Sequence, residues 1–130
     1  MASLSNPALG AAIPPPMTPV RVLFVCSRNR LRSPTAEAVV AGWPGVEALS
    51  AGTAPDADLR VSADLVAWAD LVVCFEARHR RRLADRFGPL LQDKRVVVLG
   101  LRDEYAYLDP VLTERLRARL PALLSVRPGA

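Results

Sequence analysis

The chain has 130 residues, of which 51% are apolar and 23% are charged, and its formal net charge is +4. This length and composition predict one globular domain and exclude a chain that is disordered throughout. The first 19 residues differ, because they carry no charged side chain and include three consecutive prolines. We predict a disordered tail over 1–19 and a folded domain over 20–130, with no signal peptide and no membrane-spanning segment.

Hydrophobic patterns and breaker residues divide the remaining chain into alternating strands and helices. Strands are predicted at 20–25, 46–50, 71–75 and 95–99. Helices are predicted at 34–43, 63–68, 76–87 and 110–124. Ser33, Ser62 and Asp109 are the predicted N-caps of three of these helices. Apolar strands that alternate with helices imply a parallel sheet covered on both faces, so the expected fold class is α/β, a three-layer sandwich around a four-stranded parallel sheet.

The segment CSRNRLRS lies between the first predicted strand and the first predicted helix, and it places Cys26 six residues before Arg32. Ligands of open parallel sheets bind beyond the carboxyl ends of the strands, where a helix N-terminus also presents unpaired N–H groups to anions. Such a place favours a nucleophilic thiolate at Cys26 and a phosphate held by the planar fork of Arg32. The predicted phosphate-binding residues are Ser27, Arg28, Asn29, Arg30, Leu31, Arg32 and Ser33.

Four of these loop residues have more specific expected roles. Asn29 tolerates a positive φ and is expected to bond to the loop's own backbone, and Ser33 is expected to donate its hydroxyl to the sulfur of Cys26. Arg28 and Arg30 make the mouth of the site basic if their side chains point outward, which favours an acidic substrate.

The cysteine and arginine content bears on location and partners. Only two cysteines occur, in a pattern that does not suggest a disulfide framework, so a reducing cytoplasm is expected. Cys74 lies within an apolar strand and is predicted to be a core residue. The arginine cluster over 78–86 lacks interleaved aromatic residues, which favours a solvated helix face over a nucleic-acid-binding surface. His79, within that cluster, is predicted to be a surface residue without a chemical role.

The segment VLFVCSRNRLRSPTAEA resembles the signature of the low-molecular-weight protein tyrosine phosphatases, and two later motifs extend the resemblance. Ser50 begins an SAG-type turn, whose serine supports the phosphate loop in that family. Asp103 lies where the family has an acid loop after the fourth strand. The resemblance implies that Asp103 is the general acid, that Tyr105 forms an aromatic wall of the pocket, and that the topology is flavodoxin-like.

The resemblance also implies a function. The expected protein is a phosphatase that needs no metal or cofactor and hydrolyses phosphate monoesters, phosphotyrosine foremost, through a phosphocysteine intermediate. The expected partners are phosphorylated proteins or small phosphate monoesters, with no nucleic acid and no membrane, and the chain is expected to be a monomer or a weak dimer.

Two departures from the family pattern keep alternatives open. The segment 54–70 is shorter than its family counterpart, and Glu104 replaces a usual proline. One alternative is a phosphate-binding regulator with weak or no turnover. Another is an arsenate reductase of the same fold, which would need two further cysteines beside the nucleophile, whereas this chain has only Cys74. A third is an adaptor that acts through the basic helix.

Overall fold

A computed structural model describes residues 19–124, so the tail predicted over 1–19 lies outside the described residues except for Pro19. Strands and helices alternate along this part of the chain. In chain order they are β1 (Val20–Cys26), α1 (Arg32–Val40), β2 (Val46–Gly52), α2 (Ala63–Trp68), β3 (Leu71–Cys74), α3 (Ala77–Leu91), β4 (Arg95–Val98) and α4 (Pro110–Leu124). No helix within 19–124 has the length and apolar character that crossing a bilayer requires.

The four strands form one parallel sheet in the order β2-β1-β3-β4. The chain passes from β1 outward to β2 and then crosses to β3 on the other side of β1. The order therefore reverses beside β1, which is the place where α/β sheets open a crevice for ligands. Cys26 is the last residue of β1 and pairs with Gly52 at the end of β2. The α/β fold class and the flavodoxin-like topology are confirmed.

Side chains of β1 alternate between two apolar layers. Val22 and Phe24 pack in the layer that contains the apolar residues of α1 and α4, whereas Leu23 and Val25 pack in the layer of α2 and α3. All four are fully buried. The predicted three-layer sandwich is therefore confirmed, and it fixes the direction in which β1 delivers the following loop.

Cys74, at the end of β3, belongs to the layer of α2 and α3 and is fully buried, as predicted. Burial raises the pKa of its thiol to about 12. This cysteine therefore stays protonated and unreactive at physiological pH.

Two predicted N-caps are confirmed. The hydroxyl of Ser62 accepts the backbone N–H of Leu65 at 3.2 Å. Asp109 Oδ1 accepts the backbone N–H groups of Val111 at 2.9 Å and Leu112 at 3.1 Å. Both short polar side chains satisfy donors that have no partner inside the helix.

The third predicted N-cap, Ser33, is wrong. Helix α1 begins at Arg32, its N-cap position is Leu31, and no side chain caps it. Ser33 therefore lies inside the first turn, where its hydroxyl points to Cys26 and Asn29 instead. A side-chain cap is unnecessary where the free N–H groups of the first turn bind an anion instead.

Two helices also end at different residues from those predicted. Helix α1 ends at Val40, earlier than expected, because Gly42 turns the chain with a φ of +80°. Helix α3 continues to Leu91 beyond a kink at Phe87, which has non-helical backbone angles and precedes Pro89. Pro89 removes an N–H donor from the helix interior, which accounts for the break.

Candidate active site

The loop between β1 and α1 leaves its backbone N–H groups free. The carbonyl groups of Cys26, Ser27 and Arg28 accept hydrogen bonds of 2.8 to 3.0 Å from backbone N–H groups of the segment 53–58. In contrast, no hydrogen-bond acceptor within residues 19–124 is described for the N–H groups of Ser27 to Arg32. In the absence of a ligand these N–H groups are left to bond with water. The arrangement is therefore suited to an anion that accepts from several of these groups at once.

A hydrogen-bonded chain links the thiol of Cys26 to the loop. The sulfur lies 3.0 Å from Ser33 Oγ, which in turn lies 2.8 Å from Asn29 Oδ1. Asn29 has a φ of +57°, the left-handed conformation that asparagine tolerates better than most residues. The expected positive φ of Asn29 is thus present in the structure, but its side chain bonds to the Ser33 hydroxyl rather than to the loop backbone.

The Ser33 hydroxyl carries only one hydrogen, so it donates to one partner at a time. While it donates to Asn29, the contact with Cys26 requires the thiol to act as donor. When Cys26 is a thiolate, Ser33 donates to the sulfur and gives up its bond to Asn29. Ionisation of the cysteine therefore changes the hydrogen bonding inside the loop.

Arg32 is almost completely buried, with 1% of its surface exposed. One nitrogen, Nη1, donates to Glu76 Oε2 at 2.6 Å and to the carbonyl of Leu101 at 2.8 Å. Nε lies 3.8 Å from Asp103 Oδ1, too far for a hydrogen bond. The Nε and Nη2 edge of the guanidinium therefore has no hydrogen-bond partner described within residues 19–124. A guanidinium edge of this kind can donate two parallel hydrogen bonds to a carboxylate or a phosphate.

These groups line a cavity of about 430 Å³, a size that accommodates a small organic phosphate. Its lining residues are Cys26, Ser27, Arg28, Arg30, Leu31, Arg32, Arg78 and Asp103. The lining contains four arginines and one carboxylate. Arg28 and Arg30 have exposed side chains, as expected for residues at the mouth of the cavity. Arg28 lies 3.7 Å from Asp56, and Arg30 lies 3.0 Å from Asp58.

Comparisons with known proteins place this site in a known architecture. No protein-family model matches the sequence, and no curated protein matches it with significance. YwlE arginine phosphatase from Geobacillus stearothermophilus superimposes with a TM-score of 0.68 at 22% identity, over 82% of this chain and 92% of that one. Wzb from Vibrio vulnificus, solved in complex with benzylphosphonate, superimposes with a TM-score of 0.68 at 19% identity, over 82% of this chain and 97% of Wzb. The low-molecular-weight protein tyrosine phosphatase from T. tengcongensis superimposes with a TM-score of 0.57 at 24% identity, over 82% of this chain and 95% of that one.

This chain has the low-molecular-weight protein tyrosine phosphatase fold. The conclusion agrees with the strand order and with the resemblance at the phosphate loop. The contacts of several other site residues, however, were not expected from the sequence.

Glu76 is a site residue that the sequence analysis missed. Its Oε2 accepts hydrogen bonds from Arg32 at 2.6 Å and from Arg78 at 2.9 Å. Burial alone would raise the pKa of this carboxyl, but the hydrogen bonds and charges of the two arginines lower it to about 2. Glu76 is therefore an anion that fixes Arg32 from one side. Its position two residues beyond a strand that ends beside β1 is the signal that could have found it.

His79 is not the surface residue that was predicted, since only 1% of it is exposed. Its Nδ1 accepts the backbone N–H of Glu76 at 3.0 Å, and its Nε2 lies 3.0 Å from Ser27 Oγ. Because Nδ1 is an acceptor, the ring hydrogen is on Nε2 and is donated to Ser27. The prediction overlooked the four-residue spacing from His79 to Leu83 and on to Phe87, which places all three on the buried face of α3.

Burial, together with the positive charge of Arg32, lowers the pKa of His79 from 6.5 to about 4. Between these pH values the unfolded chain binds a proton that the folded protein does not. The free energy of unfolding should therefore fall as the pH is lowered from 6.5 towards 4, by roughly 3 kcal/mol in total. Glu76 adds a further loss only below its ordinary pKa of 4.5. Urea unfolding at pH 7, 6 and 5 measures the fall.

The variant His79→Gln provides the control, because it has no ring to titrate. It should be less stable at pH 7, since the bonds of His79 to Ser27 and Glu76 are altered. Between pH 7 and 5, however, its free energy of unfolding should change little. A variant that loses as much stability as the wild type over this range would show that another group controls the acid sensitivity.

The segment 101–108 carries Asp103, whose side chain is 57% exposed and lines the cavity that contains Cys26. Both ends of this segment are attached to α1. Arg32 binds the carbonyl of Leu101, and Thr35 Oγ1 accepts the backbone N–H of Leu108 at 2.9 Å. The anchors hold the segment beside the phosphate loop although Glu104 replaces the proline of the family pattern.

The structure does not place Tyr105 in the wall of this cavity. Tyr105 is 9% exposed and belongs to the apolar layer of α1 and α4, where its hydroxyl accepts a hydrogen bond from Arg115 at 2.9 Å. Tyr107, 51% exposed, is the aromatic residue of this segment that reaches solvent. The ring of Tyr105 is drawn inward because α4 offers both an apolar surface and a donor for its hydroxyl.

Ser50 is also not at the loop. Its hydroxyl donates to Glu37 of α1. The SAG turn approaches the loop through Gly52 instead, where an added Cβ would lie 2.5 Å from the carbonyl oxygen of Ser27 and 2.6 Å from Cβ of Ala57. The turn therefore supports the loop by close backbone approach rather than through the serine side chain.

Proposed function

We propose that this protein is a cysteine-dependent phosphatase that hydrolyses phosphate monoesters, with phosphotyrosine as its principal class of substrate. The observation that carries the proposal is the set of backbone N–H groups from Ser27 to Arg32 without a described acceptor, in a loop whose residues line one cavity together with Cys26 and Arg32. A tetrahedral oxyanion satisfies all of these donors together. Wzb, a protein of the same fold, was solved with benzylphosphonate, which supports an aryl phosphate as the substrate.

In the first step, the Cys26 thiolate attacks phosphorus in line with the leaving oxygen. The S–P bond forms as the P–O bond to the tyrosine ring breaks, and Asp103 gives its proton to that oxygen. Ser33 donates to the thiolate before attack. Arg32 and the loop N–H groups stabilise the charge that develops on the three equatorial oxygens.

In the second step, water attacks the phosphocysteine. Asp103, now a carboxylate, takes the proton from this water while the S–P bond breaks and the thiolate leaves. Ser33 stabilises the departing sulfur through its hydroxyl. Inorganic phosphate is released, and Cys26 and Asp103 return to their initial protonation states.

YwlE, a protein of the same fold, is an arginine phosphatase. The charges at the mouth do not decide between phosphotyrosine and phosphoarginine, because Arg28, Arg30 and Arg78 are paired with Asp56, Asp58 and Glu76. Hydrolysis of the two phosphorylated amino acids by the wild type, measured side by side, decides between these substrates.

The test is hydrolysis of phosphotyrosine and p-nitrophenyl phosphate in the presence of a chelator. We expect turnover by the wild type that survives chelation and that is undetectable in Cys26→Ser, because a serine hydroxyl is not ionised at neutral pH. Cys74→Ala is the matched control, since this second cysteine is buried in the other apolar layer, and the variant should retain turnover.

No turnover by the wild type, together with binding of vanadate, would contradict the proposal and support a phosphate-binding regulator. An arsenate reductase is disfavoured on separate grounds. Cys74 is fully buried, and its thiol, with a pKa raised to about 12 by burial, does not resolve an adduct on Cys26.

A further inference from the structure

A second cavity adjoins the proposed active site at the first turns of α3. Its volume is about 210 Å³, and we call it the side cavity. Its lining residues are Ser27, Arg28, Thr53, Ala54, Arg78, His79 and Arg82. Ser27, Arg28 and Arg78 also line the larger cavity, so the two share a border. A ligand in one cavity can therefore extend into the other.

The charge of the side cavity is positive. Arg28, Arg78 and Arg82 contribute three guanidinium groups to the lining, which contains no carboxylate. Glu76 pairs with Arg78 at 2.9 Å, and Asp56 lies 3.7 Å from Arg28. For Arg82, no carboxylate within residues 19–124 forms an ion pair. At least one positive charge of the side cavity is thus uncompensated.

Uncharged groups complete the lining. Thr53 is only 7% exposed, and no hydrogen-bond partner within residues 19–124 is described for its hydroxyl. Its hydroxyl is therefore left to bond with water or with a ligand in the cavity. His79 is neutral and gives its ring hydrogen to Ser27, so it adds no charge and holds Ser27 at the border between the two cavities.

We propose that the side cavity binds a second oxyanion of the same phosphopeptide, carried by a residue next to the phosphotyrosine. The inference rests on the proposed function, because it takes the larger cavity as the site of the phosphotyrosine. Arg82 and Thr53 line only the side cavity, so they contact the second oxyanion but not the phosphotyrosine. Arg28 and Arg78 line both cavities and lie between the phosphotyrosine and the second oxyanion. The protein therefore selects acidic or doubly phosphorylated peptides.

The experiment measures peptide binding to full-length Cys26→Ala, which has no nucleophile at this position and therefore holds substrate without phosphoryl transfer. Three phosphotyrosine peptides differ at one adjacent position, which is glutamine, glutamate or phosphoserine. We expect the two anionic peptides to bind about three- to tenfold more tightly than the glutamine peptide. The gain should shrink as salt is raised, because exposed charges are screened. If both the glutamate and the phosphoserine peptides bind more tightly than the glutamine peptide, the side cavity accepts any oxyanion. If only the phosphoserine peptide binds more tightly, the side cavity accepts phosphate alone.

Arg82→Gln in the same background should reduce the gain to less than twofold. Arg80→Gln is the matched control, since it removes the same charge from the same helix but does not line the side cavity. It should leave the gain unchanged. Equal affinity for the three peptides, or a gain that persists in Arg82→Gln, overturns the inference.

Turnover of p-nitrophenyl phosphate by the wild type separates the two possible failures. Turnover combined with equal peptide affinities rejects the side cavity as a binding site and leaves the proposed function intact. No turnover, combined with failure of all three peptides to bind, rejects the proposed function and the side-cavity inference together.

Discussion

Asp103→Asn is expected to lower kcat/KM for phosphotyrosine by about 10²- to 10⁴-fold, because asparagine cannot protonate the tyrosine oxygen as it leaves. The loss should be smaller for p-nitrophenyl phosphate, whose leaving group is stable without a proton. This dependence on the leaving group is specific to a lost acid. A change that merely distorts the pocket would slow both substrates to a similar extent. Steady-state kinetics with the two substrates make the measurement.

Glu104→Gln is the matched control, since it neutralises the adjacent carboxylate. Glu104 is exposed, lies 3.9 Å from Arg102 and does not line the cavity, so its variant should retain activity towards phosphotyrosine. Asp109 is a poor substitute acid, because it caps α4 through two backbone hydrogen bonds. Full phosphotyrosine activity in Asp103→Asn with a large loss in Glu104→Gln would transfer the role to Glu104.

Gly52→Ala is expected to have the second large effect. Its Cβ would meet the backbone carbonyl of Ser27 at 2.5 Å, and backbone cannot move aside as a flexible side chain can. Either the phosphate loop shifts or the end of β2 does. A displacement near 1 Å in a catalytic constellation costs about 10²-fold in rate, and overpacking of this kind costs about 1–3 kcal/mol of stability. Kinetics and urea unfolding measure the two effects.

Gly88→Ala is the control for the change in residue type. Gly88 lies within α3, and a Cβ there would meet no atom within 4 Å. The gain in helix propensity is opposed by the restriction that Pro89 places on the residue before it, so stability should stay within about 1 kcal/mol of the wild type, and activity should be unchanged. A Gly52→Ala protein as active and as stable as Gly88→Ala would show that the loop tolerates a shift of the turn.

Local patterns were sufficient for much of the fold. The apolar runs of β1 and β3 are continuous because both faces of these strands are buried, and that feature predicts a parallel sheet between helices. The ends of elements were harder to predict. Ser33 has the residue type of an N-cap, but its hydroxyl has better partners in Cys26 and Asn29, and no sequence rule weighs a cap against a contact across the loop.

The residues of the candidate site also fall into two groups, those that the sequence predicts and those that it does not. Cys26, Asn29 and Arg32 belong to one short segment, so their spacing alone predicts that they lie together. Glu76 and His79 lie more than 40 residues further along the chain. They reach the loop only because β3 pairs with β1, and the carboxyl ends of parallel strands share one edge.

The sequence by itself therefore determined the α/β sandwich and the grouping of Cys26, Asn29 and Arg32 in one loop, since these depend on hydrophobic periodicity and on contacts between near neighbours. The tertiary structure alone decided what the buried face of α3 contacts, and so made His79 a neutral support of Ser27 rather than a surface residue without a role. It also decided that Tyr105 packs inward beneath α4 and that Gly52 rather than Ser50 meets the loop. Burial and charge pairing depend on the surroundings that all of the elements create together, which residue type and spacing do not encode.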